Sequence, residues 1–261
     1  MMNRLLLGAA FAALSMGNAM ADVTSKKIEY KFDGVEFTGQ LYYDAASKEK
    51  RPGVLVVHEW WGLDDYAKGR AEQLAKLGYV AFACDMYGAG KVAEHPKEAG
   101  EMAGTVRKNI DIWRGRAKES LKVLTDFEYT DATRIAAIGY CFGGTTCLQL
   151  AATGADIKAI ATFHSAQPKL KDDEAKAIKA KVQVHHGADD KFIPAEAIET
   201  FKKTLEGAKV SLDFREYKGC VHSFTVKGAD DRKVDGMKYD KDADEKSWEA
   251  MKKLFDEQFK K

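Results

Sequence analysis

The sequence predicts an α/β fold: a mostly parallel sheet of about eight strands with helices on both faces. Three observations predict it. Short apolar runs recur at residues 54–57, 79–83, 134–138, 157–163, 182–185 and 211–217. Such continuous runs suit strands buried on both faces, whereas a half-exposed strand would alternate. Segments of helical period stand between them. Ahead of them, residues 27–43 alternate around Asp33-Gly34, with Ile28, Tyr30 and Phe32 answered by Phe37, Leu41 and Tyr43, the pattern of an opening hairpin.

Taken in order, Arg51-Pro52-Gly53 leads into the first buried strand, 54–57, and a helix is expected over 66–77, closed by Gly78. Strand 79–83 runs into a glycine-rich turn at Gly88-Ala89-Gly90. Residues 94–124 read as mostly helical, with Trp113, Ala117, Leu121 and Leu124 at helical spacing. Strand 134–138 precedes a small-residue helix over 145–152; strand 157–163 precedes a charged helix over 172–179. Strand 182–185 precedes a helix opened by Pro194, and strand 211–217 comes before a last helix over 246–259.

The chain has 261 residues, 45% hydrophobic and 31% charged, with a formal net charge of +1. That length fits one α/β domain over residues 22–261, without repeat, linker or low-complexity tract. Charges of both signs are mixed along it, so no basic stripe suggests a nucleic-acid partner. Residues 1–21 differ. Arg4 precedes the apolar run 5–14, and Ala19-Met20-Ala21 ends the segment. These are the marks of a secretory signal peptide, too short for a membrane span, and they predict an exported, periplasmic or secreted protein. Cys84, Cys141, Cys147 and Cys220 have neither C-x-x-C nor metal-ligand spacing, so no metal or cofactor is expected.

Residues 135–144 read as an apolar strand, then Gly139-Tyr140-Cys141-Phe142-Gly143-Gly144, then a helix. This is a nucleophile elbow with sulfur in place of the serine oxygen. Small residues two before and two after the nucleophile let strand and helix pass, and the helix N-terminus favours thiolate. The N–H of Phe142 is expected at the developing oxyanion. A purely structural glycine turn is the plainer alternative. A P-loop would need lysine after Gly144, where Thr145 stands, and a phosphatase loop would need arginine at Cys147.

A thiol nucleophile needs a base and a group to orient it. In α/β-hydrolases these follow the nucleophile in the order acid, histidine, on loops after later strands. Asp189-Asp190 follows the strand ending at Gly187, and His222 follows the strand ending at Tyr217. Both loops belong at the edge of the sheet that carries Cys141. After the first buried strand, His58-Glu59-Trp60-Trp61-Gly62 offers the Trp60 N–H as second oxyanion donor and places Glu59 against two indoles, where desolvation disfavours its charge. Glu59 as a simple cap is the bland alternative. His164 with Ser165 reads as chance proximity to this loop cluster.

With these residues assembled, the chain resembles the dienelactone hydrolase family along nearly all of residues 22–261. The resemblance rests on Val57 through Gly62, Asp85-Met86-Tyr87-Gly88, the Cys141 turn, Asp190-Lys191-Phe192-Ile193-Pro194 and His222-Ser223-Phe224. It implies a triad of Cys141, His222 and Asp190, with Asp190 preferred to Asp189 because it directly precedes the x-Phe-Ile-Pro run. It implies that Glu59 interacts with the resting thiol and helps to generate thiolate. Trp61, Tyr87, Lys91, Phe192 and Lys227 are then the candidate substrate-binding residues. The arginines with which the family holds a substrate carboxylate are missing where they would be expected; Lys91 and Lys227 stand nearby as point charges. The expected function is hydrolysis of small-molecule esters or lactones. The rivals are a non-catalytic small-ligand-binding protein on the same fold and a thiol redox protein using Cys141 with Cys147 or Cys220.

Overall fold

The computed structural model describes residues 22–260, so the signal-peptide expectation lies outside the described residues. Strands β1 (Val23–Phe32) and β2 (Val35–Asp44) form the opening hairpin, paired in register from Val23 opposite Asp44 to Phe32 opposite Val35. Asp33 and Gly34 both have positive φ, which matches the turn twist to that of the strands. Then come β3 (Arg51–Val57), α1 (Asp65–Lys76), β4 (Val80–Cys84), α2 (Pro96–Arg107), α3 (Ile110–Asp126), β5 (Thr130–Tyr140) and α4 (Phe142–Ala151). The chain ends with β6 (Ala159–Phe163), α5 (Asp172–Lys176), β7 (Lys181–Gly187), α6 (Ala195–Gly207), β8 (Leu212–Tyr217), a 3-10 turn (Ala229–Arg232) and α7 (Lys241–Phe259).

One eight-stranded sheet results, in the order β1-β2-β4-β3-β5-β6-β7-β8. The β1–β2 and β2–β4 pairs are antiparallel, and every pair from β4 to β8 is parallel. Successive side chains of a strand point to opposite faces, so each buried strand feeds two cores. Leu55, Val57, Phe82, Ile135 and Ala137 pack with Trp113 of α3, Phe142 and Leu148 of α4, and Phe201 of α6. Val54, Val56, Ala81, Ala136 and Ile138 pack on the other face with Ala71 and Leu74 of α1 and Met251 and Phe255 of α7.

Capping chemistry moves several helix ends from where periodicity puts them. The expected helical stretch 94–124 is two helices, because Asn109 turns its carboxamide to accept from the N–H groups of Asp111 (3.0 Å) and Ile112 (3.2 Å) and starts α3 afresh. Asp64 and Asp240 cap α1 and α7 in the same way, so α7 begins five residues before the expected position 246. Helix α4 starts at Phe142 rather than at 145, directly behind Cys141.

Candidate active site

Parallel strands place their carboxyl ends on one edge, and the loops there bring Glu59, Cys141, His164, Asp190 and His222 together. Cys141 joins β5 to α4 with φ 51° and ψ −115°, a strained geometry for a residue with a Cβ. Its N–H is held by the Phe163 carbonyl at 2.9 Å, and its carbonyl accepts from Gly144 (3.2 Å) and Thr145 (3.4 Å). The turn tolerates no side chain on either flank. A Cβ on Gly139 would lie 2.2 Å from the Gly143 carbonyl oxygen, and one on Gly143 would lie 2.2 Å from that of Val57. Neither the Phe142 nor the Trp60 backbone N–H finds an acceptor among the described residues; at Phe142, the first residue of α4, that is the ordinary state of a helix N-terminus.

His222 and Asp190 meet across two loops, Nδ1 to Oδ2 at 2.7 Å. Asp190 is buried, and its other oxygen accepts from the Phe192 N–H at 2.9 Å; Asp189 is exposed. The His222 backbone is clamped by Gly236 and Lys238, and the Phe192 ring stands edge-on to its imidazole at 5.2 Å. Burial by itself would push the His222 imidazole down. Its interactions with Cys141 and with the hydrogen-bonded Asp190 outweigh burial and raise His222 well above its ordinary range.

Glu59 is buried (2% exposed) and accepts from the Ser223 hydroxyl at 3.0 Å. Burial pushes its carboxyl up to about 7; His222 opposes that rise, Asp64 adds to it, and Ser223 and Arg232 oppose it. The turn after β4 is organised by a buried carboxylate: Asp85 accepts from the N–H groups of Tyr87, Gly88 and Gly90. Tyr87 in turn donates to the Trp60 carbonyl at 2.9 Å, which steadies the loop carrying Glu59.

Cys141 and His222 open onto a cavity of about 420 Å³, walled by Trp60, Trp113, Phe142, Phe192, Ile193 and Met237 among others. Of the five residues expected to bind substrate, Phe192 lines it. Trp61 and Tyr87 are buried behind the wall, Lys91 is exposed and not among the lining residues, and Lys227 borders a separate cavity of about 220 Å³ with Arg70 and Asp244. The cavity's guanidinium is Arg107, at the end of α2 and 5.4 Å from the Phe142 ring centroid. Nothing in its local sequence marks it; it is the last residue of α2, just before Asn109 starts α3. Cys84, Cys147 and Cys220 are buried and unbridged, away from the cavity wall.

The protein is similar along most of its length to known proteins. A solved dienelactone hydrolase-like promiscuous phosphotriesterase from metagenomic libraries is 36% identical, with a TM-score of 0.89 over 92% of this chain and 100% of that one. The solved structure named m3DLH is 38% identical, with a TM-score of 0.88 over the same shares. The protein usf of Aquifex pyrophilus is 29% identical over 201 residues, 76% of this chain and 85% of that protein. The model of the dienelactone hydrolase family matches residues 37–259. With its eight-stranded, mostly parallel sheet covered by helices on both faces, the chain belongs to the dienelactone hydrolase family and is an α/β-hydrolase-fold hydrolase of the lactone- and ester-cleaving kind.

Proposed function

We propose that Cys141 is the nucleophile of an ester or lactone hydrolase working through a Cys141–His222–Asp190 triad and an acyl-enzyme. One observation carries it: a cysteine on a strained strand–helix elbow shares a cavity with a buried histidine that Asp190 holds at 2.7 Å. The Cys141 thiolate adds to the carbonyl carbon, and the oxyanion is received by the free N–H groups of Phe142 and Trp60. As the carbonyl reforms, the C–O bond to the alcohol breaks and His222 gives that alcohol its proton. Water then adds to the thioester, losing a proton to His222, and the acid leaves as the Cys141–acyl bond breaks. Glu59, whose carboxyl burial raises to about 7, is assigned the role that the family resemblance implies, helping to generate the thiolate from the resting thiol.

The likeness to a phosphotriesterase favours phosphotriesters as a second substrate class, since the same thiolate and N–H pair suit attack at phosphorus. Export of the mature chain from residue 22 onward is also proposed, on Arg4, the apolar run 5–14 and Ala19-Met20-Ala21.

Cys141→Ala should abolish turnover of p-nitrophenyl acetate while the circular dichroism of the folded protein is retained. Undiminished turnover in that variant would remove Cys141 from the mechanism. A wild-type protein that binds but never turns over esters, lactones or aryl phosphotriesters would favour the ligand-binding alternative.

A further inference from the structure

His164 follows β6 with its side chain fully buried, and no step proposed above uses it. Its φ is +40°, a region that a residue with a Cβ enters only when its surroundings hold it there. Its N–H donates to the His185 carbonyl at 2.8 Å, and its ring stands edge-on to His222 (5.2 Å) and to Phe224 (5.4 Å). Nε2 lies 2.8 Å from Thr225 Oγ1. Nδ1 has no hydrogen-bond partner and lies 3.8 Å from Glu59 Oε1.

The neighbours point to one placement of the imidazole proton. Arg70 can only donate, and its Nε gives a hydrogen bond to the Tyr66 hydroxyl at 3.2 Å. We assign the Tyr66 hydroxyl as donor across the 2.6 Å to Thr225 Oγ1, the arrangement in which Arg70 fills an acceptor position on Tyr66 and each hydroxyl donates onward toward His164. The Thr225 hydroxyl then donates to His164 Nε2. The chain is anchored because Arg70 is paired with Asp244, donates to the Thr225 carbonyl at 2.9 Å and lies over the rings of Tyr66, Tyr140 and Trp248. Burial, reinforced by the charge on His222, holds the His164 imidazole well below its ordinary range, so it is neutral. A neutral imidazole that accepts at Nε2 bears its proton on Nδ1.

We propose that His164 is a positioning residue for Glu59: its Nδ1–H, oriented through Arg70, Tyr66 and Thr225, faces Glu59 Oε1 and stabilises the ionised carboxylate. At 3.8 Å this is a charge–dipole interaction rather than a hydrogen bond. It matters because Glu59 is finely balanced. Burial favours its acid form, as does Asp64 at the start of α1, while His222, Ser223 and Arg232 favour its charge. One further oriented N–H tips that balance. The assignment rests on the proposed role of Glu59 only for its kinetic consequence; the orientation itself does not depend on turnover.

The test reads the carboxyl directly. Infrared difference spectra of the folded protein, followed through neutral pH, show the protonated carboxyl stretch, and Glu59→Gln identifies the Glu59 band by its loss. His164→Gln puts an amide where Nε2 was and empties the Nδ1 position, whereas His164→Asn returns an amide N–H to that position. We expect His164→Gln to move the Glu59 midpoint up by about one pH unit, a tenfold gain in proton affinity, and His164→Asn to leave it within about 0.3 unit of wild type. Thr225→Val, nearly isosteric, breaks the orienting chain and should also move the midpoint up, which decides the matter if the histidine variants do not fold. An unmoved midpoint in His164→Gln, or in Thr225→Val where only that variant folds, would overturn the assignment. Equal shifts in both histidine variants would do the same. Failure of the wild type to hydrolyse any ester would instead sink the proposed function and leave these midpoints standing.

Discussion

Arg107 has no ion-pair partner among the described residues, although it borders the cavity that holds Cys141. Its planar, permanently charged guanidinium can take a carboxylate on two parallel N–H groups, which Lys91 and Lys227, set away from the cavity, cannot do. Replacing Arg107 by Gln should therefore raise KM about tenfold, roughly 1.4 kcal/mol, for an aryl ester whose acyl chain ends in a carboxylate. A neutral acetate ester should change by less than about twofold. Equal effects on both esters in steady-state kinetics would leave Arg107 only its packing against Phe142. The order Cys141, Asp189-Asp190, His222 was legible because each follows a strand and the parallel sheet brings those strand ends to one edge, while the preference for Asp190 came from the family resemblance. Arg107 and His164 were not legible. Neither lies in a local motif, and each meets the cluster only through side chains of other elements that folding brings beside it.

The β5–Cys141–α4 unit shows what the glycines are for. At Gly143 a Cβ would press on the Val57 carbonyl, part of a central strand that cannot retreat without breaking its pairing with β4 and β5. Gly143→Ala should cost about 3 kcal/mol or more in urea denaturation, the upper end of the usual overpacking range. Gly104, inside α2, is the control, because a Cβ added there would meet nothing within 4 Å. Gly104→Ala should stabilise by about 0.5–1 kcal/mol, the ordinary gain in a helix interior. A similar loss at both sites would mean that the elbow is not sterically special. Helix α4 is buried along its whole length, and its Thr146 hydroxyl accepts from the Trp113 indole at 2.8 Å. Trp113 also stacks on Phe142 at 5.4 Å, so the residue expected to supply an oxyanion N–H is braced from α3.

Stability of the whole molecule should carry the mark of its buried imidazoles. His185, between Tyr217 and Gln183 in the sheet, is pushed down to about 3 by burial, with Arg215 adding to the shift and Asp213 opposing it. Below about pH 6.5 the unfolded chain takes up a proton at this residue that the folded one excludes, so its contribution is present above that pH and is lost as pH falls toward about 3. Between about pH 6.5 and pH 5 the loss is about 1.5 kcal/mol. Glu59, raised to about 7, works the other way: its acid form is kept in the folded state, so its contribution grows as pH falls from about 7 toward the carboxylate range. The clean observable is the difference between wild type and His185→Asn. Urea midpoints should fall more steeply with acid in the wild type, and parallel curves would show that His185 does not couple folding to pH. By itself, the sequence determined the parallel sheet, the opening hairpin, the elbow and the order of Cys141, Asp190 and His222, because hydrophobic period and turn chemistry are local properties. Only the tertiary structure decided which cation faces the cavity and that His164 stands beside Glu59, and it buries Asp190, which the sequence had already singled out over Asp189, against His222. Those are meetings of side chains from separate strands and loops, and they exist only once the sheet has brought its ends to one edge.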